Sequence, residues 1–428
     1  RSTLFPYTTL FRSALARLKL TKNQKKDASI KSTGVAEYLH DQFYDTKYTG
    51  STKLLIGSYG KKTNIRPPTD VDLLFKIPAE TFDQYYNYSG NGPSALLQDI
   101  RTRLSKKYTT TEKISAWGKV VLIKFSDGKH NVELLPAFDV GDVFMIPNSE
   151  DGGSWESFDA RADLDAVSDA NTNTGGKARK LIKIIKRWRI ETKSLSIKSF
   201  EVEQACLSFL ETYDVSGKTW AMIIHSFFGW FATASDKDVS QIQTALSRSA
   251  KAIEYEENEK FADACNEWRK VFGNRVFPAY DKNLMKVRQL MAIDTHENEE
   301  FIEDLYPVRI DPANQLSISA TISGKGFITR PLQEFINKYL KIPKHLSITF
   351  TVNGAPQGSQ MLWKIRNFGA AARIANDLRG KITKGGLTHN ESSKYIGTHY
   401  AECYAILNGV CVARAMQFVP ISEEEREN

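Results

Sequence analysis

Two carboxylates one residue apart, Asp70 and Asp72, open the apolar run Val71-Asp72-Leu73-Leu74-Phe75, and a glycine-serine turn, Gly57-Ser58, precedes them with basic residues between. On a strand, residues i and i+2 leave from the same face, so both acids aim at one point. Paired oxygen donors suit Mg²⁺, a hard cation with an octahedral shell that is commonly shared with substrate phosphates. A turn presenting backbone N–H groups and a hydroxyl suits those phosphates. The order therefore reads as a phosphate grip followed by a metal grip. Its chemistry would be an in-line displacement at phosphorus, with two cations clamping the attacking and the leaving oxygen.

Such a site needs a third carboxylate. Lys119 to Phe125 and His130 to Phe138 are apolar runs flanking Asp127-Gly128-Lys129, the signature of a β-hairpin. Glu133 is the lone acid in the second strand, where an unpaired charge is costly unless it coordinates something. Each piece has an ordinary reading as well: a D-x-D on a surface loop, a Gly-Ser turn, a strand acid facing solvent. The argument for chemistry is their order. An apolar strand (Leu54-Leu55-Ile56), a glycine turn, basic residues, a D-x-D at a strand start and an acid in a later strand follow one another.

The segment from Gly57 to Phe75 resembles, without a gap, the active-site signature of polymerase-beta-type nucleotidyltransferases. Its spacing is closest to the bacterial cyclic-oligonucleotide synthases of anti-phage defence (CD-NTases), relatives of cyclic GMP-AMP synthase and oligoadenylate synthetase. Val132 to Phe138 resembles the family's third-carboxylate strand, with Glu133 where aspartate is common. The resemblance implies Asp70, Asp72 and Glu133 as catalytic metal ligands for two Mg²⁺ ions, with Mn²⁺ as a substitute. It implies Gly57 and Ser58 as donors to the phosphates of a nucleoside triphosphate.

A second constellation lies downstream. Lys177, Lys180, Lys183 and Lys186 recur every third residue, which on a helix draws a slowly drifting basic stripe. A solvated cationic face is its plain alternative. In the resembling family a Lys-x-Trp element holds the donor triphosphate, and Lys186 of Lys186-Arg187-Trp188 matches it. Ser199 and Phe200 match a segment that contacts the same phosphates and stacks a ring on the donor base.

The elements that would position these groups follow from pattern. Residues 14–160, opened by a long helix from Ala14 to Tyr48 with Val35, Tyr38, Leu39 and Phe43 on one face, form the expected catalytic domain. Residues 161–299 read as amphipathic helices, a helical lobe closing over the nucleotide. Residues 300–428 change to alternating strands and helices with a hairpin turn at Asn408-Gly409. Runs at Trp363 to Gly369, Leu378 to Ile382 and Phe418 to Ile421 resemble the AGS-C type sensor domain, which implies an unknown ligand. Arg366, Arg379 and Lys381 read first as surface charges, with anion binding the alternative. The expected fold is α+β: a polymerase-beta-like mixed sheet with a helical lobe, plus a C-terminal α+β domain. Residues 1–13 read as a non-native leader, expected to be dispensable.

Composition sets the outer limits. The 428 residues exceed a single core of roughly 250–300 residues. Lys and Arg number 58 against 50 acids, a basic balance that fits an anionic ligand without demonstrating nucleic-acid binding. The four cysteines form no CxxC pair, the pattern of free thiols in a reducing cytoplasm. The most apolar stretch, Thr219 to Ala232, is too short to span a bilayer comfortably and reads as a buried helix. No membrane partner is expected. The resemblance implies a cytoplasmic, Mg-dependent enzyme that joins NTPs into a cyclic oligonucleotide second messenger read by an effector protein. Synthesis of a linear oligonucleotide, nucleotidylation of a macromolecule, and a decayed nucleotide-binding sensor stand as alternatives.

Overall fold

The computed structural model describes residues 6–277, 299–311, 313–324 and 327–422. They group into two units, Leu18–Asn258 with Lys270–Phe272, and Arg1–Arg17 with Glu259–Arg269 and Gly273–Asn428. The proposed border at 160 lies inside the first unit, and the end of the proposed helical lobe, 278–298, lies outside the described residues.

The single helix expected from Ala14 to Tyr48 is two, α1 (Pro6–Leu18) and α2 (Lys22–Phe43). The break has a local cause. Thr21 Oγ1 accepts the Gln24 N–H at 3.1 Å while the Thr21 N–H donates to Gln24 Oε1 at 2.9 Å. This capping box starts a new helix.

In the first unit, β1 (Lys53–Leu55), α3 (Gly57–Gly60) and β2 (Val71–Ile77) are followed by α4 (Phe82–Tyr86) and α5 (Gly92–Lys107). Then come β3 (Lys113–Trp117), β4 (Val120–Lys124), β5 (Val132–Asp139), β6 (Phe144–Asn148) and β7 (Ser154–Phe158). The sheet runs β1-β2-β5-β4-β3, with β6 and β7 continuing from β5. β2 and β5 are parallel, and the hairpin expected around Asp127-Gly128-Lys129 joins β4 to β5.

Alternation decides which face is core. Val71, Leu73, Phe75 and Ile77 of β2, with Val132, Leu134 and Phe138 of β5, are buried with Val35 and Leu39 of α2 and Leu96 and Ile100 of α5. Burying each such side chain contributes about 1.5–3 kcal/mol. The intervening residues therefore face the other way. There Leu74, Leu135 and Ala137 form a second cluster with Ile56, Phe144 and Ala160. Helices α6 (Ala160–Asn173), α7 (Ala178–Glu191), α8 (Ser199–Thr212), α9 (Trp220–Ala234) and α10 (Val239–Glu257) complete the unit, and α11 spans Phe261–Phe272. No helix among the described residues is long and apolar enough to cross a membrane.

The second unit carries two sheets. One runs β10 (Ile342–Pro343), β16 (Val410–Ser422), β15 (Gly397–Leu407), β12 (Gln360–Arg366), β13 (Arg379–Gly385). The other runs β14 (Thr388–Ser392), β11 (Ser347–Asn353), β8 (Ser317–Gly324), β9 (Phe327–Pro331). Ile322, Ile348 and Phe350 from one meet Trp363, Cys403 and Ala413 from the other in a shared core. Arg366, read as a surface charge, is fully buried: its Nε lies 3.3 Å from Glu299, which also pairs with Lys364 at 2.8 Å and accepts the Tyr400 hydroxyl at 3.0 Å. Within the stretch set aside as a leader, Phe11 is buried edge-on to Trp268 at 4.9 Å and to Phe277 at 5.2 Å.

Candidate active site

The parity that fills the core also aims the acids. Asp72 sits between Val71 and Leu73, so it leaves β2 on the face away from α2 and α5; Glu133 does the same on β5. Parallel pairing puts Asp72 in register with Glu133, and neighbouring strands lie about 4.8 Å apart. Asp70, just ahead of β2, accepts Asn131 Nδ2 at 2.9 Å, while the Val71 N–H bonds Asn131 O. The eight residues expected from sequence to be catalytic or nucleotide-binding, Asp70, Asp72, Glu133, Gly57, Ser58, Lys186, Ser199 and Phe200, line one cleft of about 570 Å³.

The glycine turn serves the acid as well as the expected phosphate. Gly57 has φ +54, and a Cβ there would stand 2.0 Å from Asp72 Oδ2. The Ser58 N–H, expected to face a ligand, bonds the Asp72 carboxylate. Gly57→Ala is therefore expected to displace Asp72 and strain the turn, lowering turnover at least about tenfold while costing on the order of 1–2 kcal/mol of stability. Steady-state rates set beside a thermal melt check both numbers.

The three acids burden one another. Burial pushes Asp72 up to about 6, with the charge of Asp70 adding to it and the Ser58 N–H opposing. Burial, then the charges of Asp70 and Asp72, pushes Glu133 up to about 7.

Opposite them lies a buried charge cluster. Lys186 Nζ donates to Glu203 Oε1 at 2.7 Å and to Thr63 Oγ1 at 3.1 Å. Lys61 Nζ bridges Glu203 at 3.1 Å and Asp163 at 2.7 Å. Burial alone would raise Glu203, but Lys186 and Lys61 hold it below the ordinary carboxylate range. Phe200, 56% exposed, sits at the cleft with Lys61 Nζ 5.3 Å from its ring centre. Of the lysine repeat only Lys186 lines the cleft. Lys180 is exposed, Lys177 turns to the carbonyl of Val215, and burial with neighbouring cations lowers Lys183 to about 8.

Comparison with known proteins gives the families of two segments of the chain. Residues 7–171 match the family described as the Second Messenger Oligonucleotide or Dinucleotide Synthetase domain, and residues 296–422 match the Adenylyl/Guanylyl and SMODS C-terminal sensor domain. The chain is a CD-NTase with an AGS-C domain. It is a nucleotidyltransferase of α+β fold. The CD-NTase is 22% identical over 319 residues to a probable cyclic nucleotide synthase of Bacillus cereus (strain VD146), covering 60% of this chain and 95% of that one. Among solved structures, CdnC of E. coli MS115-1 with ATP is matched at TM-score 0.46 and 16% identity over 63% of this chain and 98% of that one. Vibrio cholerae DncV with the linear intermediate pppA(3′,5′)pG is matched at TM-score 0.44 and 15% identity, over 63% and 87%.

The fit of a metal to this CD-NTase rests on its donors. Asp70, Asp72 and Glu133 offer carboxylate oxygens alone, and two of the three are driven toward the protonated form by burial and mutual repulsion. That is the donor set of a hard dication, which would relieve the repulsion. Among the described residues no three His, Cys, Asp or Glu side chains are already gathered around one point. The acids face a common cleft without a closed shell. Sequence reasoning gave no role to Lys61, Thr63, Asp163 or Glu203. Glu203 had a usable signal: it lies four residues after Ser199, one helical turn along α8, in a segment already singled out.

Proposed function

We propose that this CD-NTase joins NTPs into a cyclic oligonucleotide second messenger in anti-phage defence, releasing pyrophosphate in a Mg²⁺-dependent reaction. The observation that carries the reading is the in-register pair Asp72 and Glu133 beside Asp70, set across one cleft from Lys186. Asp70, Asp72 and Glu133 would hold two divalent cations, which lower the pKa of the acceptor hydroxyl and steady the departing pyrophosphate. Gly57 lets the turn approach closely, and the Ser58 hydroxyl is the donor left to a phosphate once its N–H is engaged. Lys186 and Ser199 bind the triphosphate from the helical side. Phe200, exposed at the cleft, gives the donor base a face to stack on.

The buried free thiols Cys206, Cys265, Cys403 and Cys411 support placement in the reducing cytoplasm. An effector protein would read the product, as the anti-phage role requires. The test is incubation with all four NTPs, then all four dNTPs, with Mg²⁺ or Mn²⁺. A phosphatase-resistant oligonucleotide with matching pyrophosphate is expected. A phosphatase-sensitive product would turn the reading to a linear oligonucleotide, and absence of pyrophosphate would end it.

A further inference from the structure

The C-terminal unit has a cavity of its own, of about 330 Å³, remote in sequence from the catalytic residues. It opens where β13, the edge of one sheet, meets β14, the edge of the other. Arg379, Gly380, Lys381 and Thr383 of β13 all line it, the first three at a bulge where the strand leaves its regular pairing with β12. Gly380 between them has φ +107, and a Cβ there would press within 3.4 Å of Glu299 and Arg366. The strand bends at this point, beside the register shift between Lys364 and Arg366 of β12.

The wall of the cavity is aromatic and fixed. His389 from β14 lies on Trp363 with ring centres 5.3 Å apart and planes 25° from parallel. The Trp363 Nε1–H is spent on Gly386 O at 2.9 Å, and His389 Nε2 bonds Glu391 at 2.7 Å. Glu391 also pairs with Arg379. Its single charge is thus committed to holding two wall residues. Lys381 and Asn376 have no side-chain partner among the described residues, so the cavity keeps a net positive charge and unspent donors.

We propose that this cavity binds a small anion bearing one flat ring, a nucleoside monophosphate or a compound of that shape. The phosphate meets Lys381 and Arg379, and the ring meets His389, which the buried Trp363 backs and holds in place. The volume sits at the low end of small-molecule pockets, room for one ring and one phosphate rather than a longer oligonucleotide. A rigid aromatic wall with a cationic rim is the chemistry such a ligand selects.

Equilibrium dialysis of the full chain with AMP, GMP, CMP and UMP, in chelator so that metal-assisted binding at the catalytic cleft is suppressed, tests the assignment. At least one of the four is expected to bind saturably, one per chain. Lys381→Glu, at an exposed position, should melt like wild type yet bind at least about tenfold more weakly, since it turns a charge-assisted contact into a repulsive one. The free nucleoside and ribose 5-phosphate should each bind more weakly than the monophosphate. Asp70→Asn/Asp72→Asn should bind as wild type does. Three results would overturn the proposal: no binding of any monophosphate by about 1 mM, which is about −4 kcal/mol; Lys381→Glu equal to wild type; or loss only in the Asp variant. Ribose 5-phosphate binding as tightly as AMP would refute the ring.

Discussion

Asp70→Asn combined with Asp72→Asn is expected to abolish nucleotide incorporation while the purified protein keeps its fold and melts no lower than wild type. The loss in turnover should exceed about a thousandfold, or roughly 4 kcal/mol of transition-state stabilisation. Both substitutions preserve shape and hydrogen bonding. The carboxamide oxygen that replaces the Asp72 carboxylate can still accept the Ser58 N–H, and the one that replaces the Asp70 carboxylate can still accept Asn131 Nδ2. What disappears is charge. Burial has raised Asp72 from 3.8 to about 6, so its ionised form is disfavoured in the folded protein. The sign follows: its contribution is fully present below about pH 3.8 and is lost as pH rises through about 6. At neutral pH without metal, Asp72 therefore opposes folding by at most about 3 kcal/mol, each pKa unit being about 1.4 kcal/mol. Removing it should leave the metal-free melt equal or higher. Mg²⁺ should raise the melting temperature of wild type and not of the variant, because a ligand stabilises only the state that binds it. Turnover of labelled NTPs by the variant at more than a few per cent of wild type would remove these acids from the chemistry.

The sequence was most legible where geometry is local. Side-chain parity on β2 placed Asp72 opposite Leu73, and the Asp127-Gly128-Lys129 turn marked the β4–β5 hairpin that aims Glu133. The parallel pairing of β2 with β5 was not legible, because register between strands some sixty residues apart leaves no trace in either one's alternation. The lysine repeat failed for a geometric reason. Three residues advance a helix by about 300°, so each step drifts about 60°, and Lys186 ends on the opposite side of α7 from Lys177. β12 was hidden by its charges. Lys364 and Arg366 look like solvent-facing positions, yet both are buried because Glu299, far away in the chain, pairs with them. The capping box at Thr21 and Gln24 was present in the sequence and was outweighed by the apolar pattern on either side.

Glu203→Ala is expected to be the most damaging single substitution at the site for stability, costing about 3–5 kcal/mol, because it removes the carboxylate that pairs with the buried Lys186 and leaves it the Thr63 hydroxyl to bond and the charge of Asp72 nearby. Lys61 keeps Asp163 at 2.7 Å, so most of the loss falls on Lys186. A cycle with Lys186→Met separates charge from packing. If the cost is the stranded ammonium, removing it as well should recover about 2 kcal/mol, read as a urea midpoint at constant slope. Acid gives a second check. Lys186 and Lys61 outweigh burial and hold Glu203 below its ordinary value of 4.5, so its contribution is present above about pH 4.5 and fades as pH falls through the lower, folded-state value. The gap between wild type and Glu203→Ala should be level from neutral pH to about pH 5 and narrow below; a gap that persists to about pH 3 would mean lost packing instead. The same carboxylate bears on catalysis. Lys186 is compensated before any substrate arrives, so a triphosphate would replace one anion by another at a lysine already in place. Removing Glu203 should therefore cost turnover through a misplaced Lys186 even under conditions where the variant remains folded.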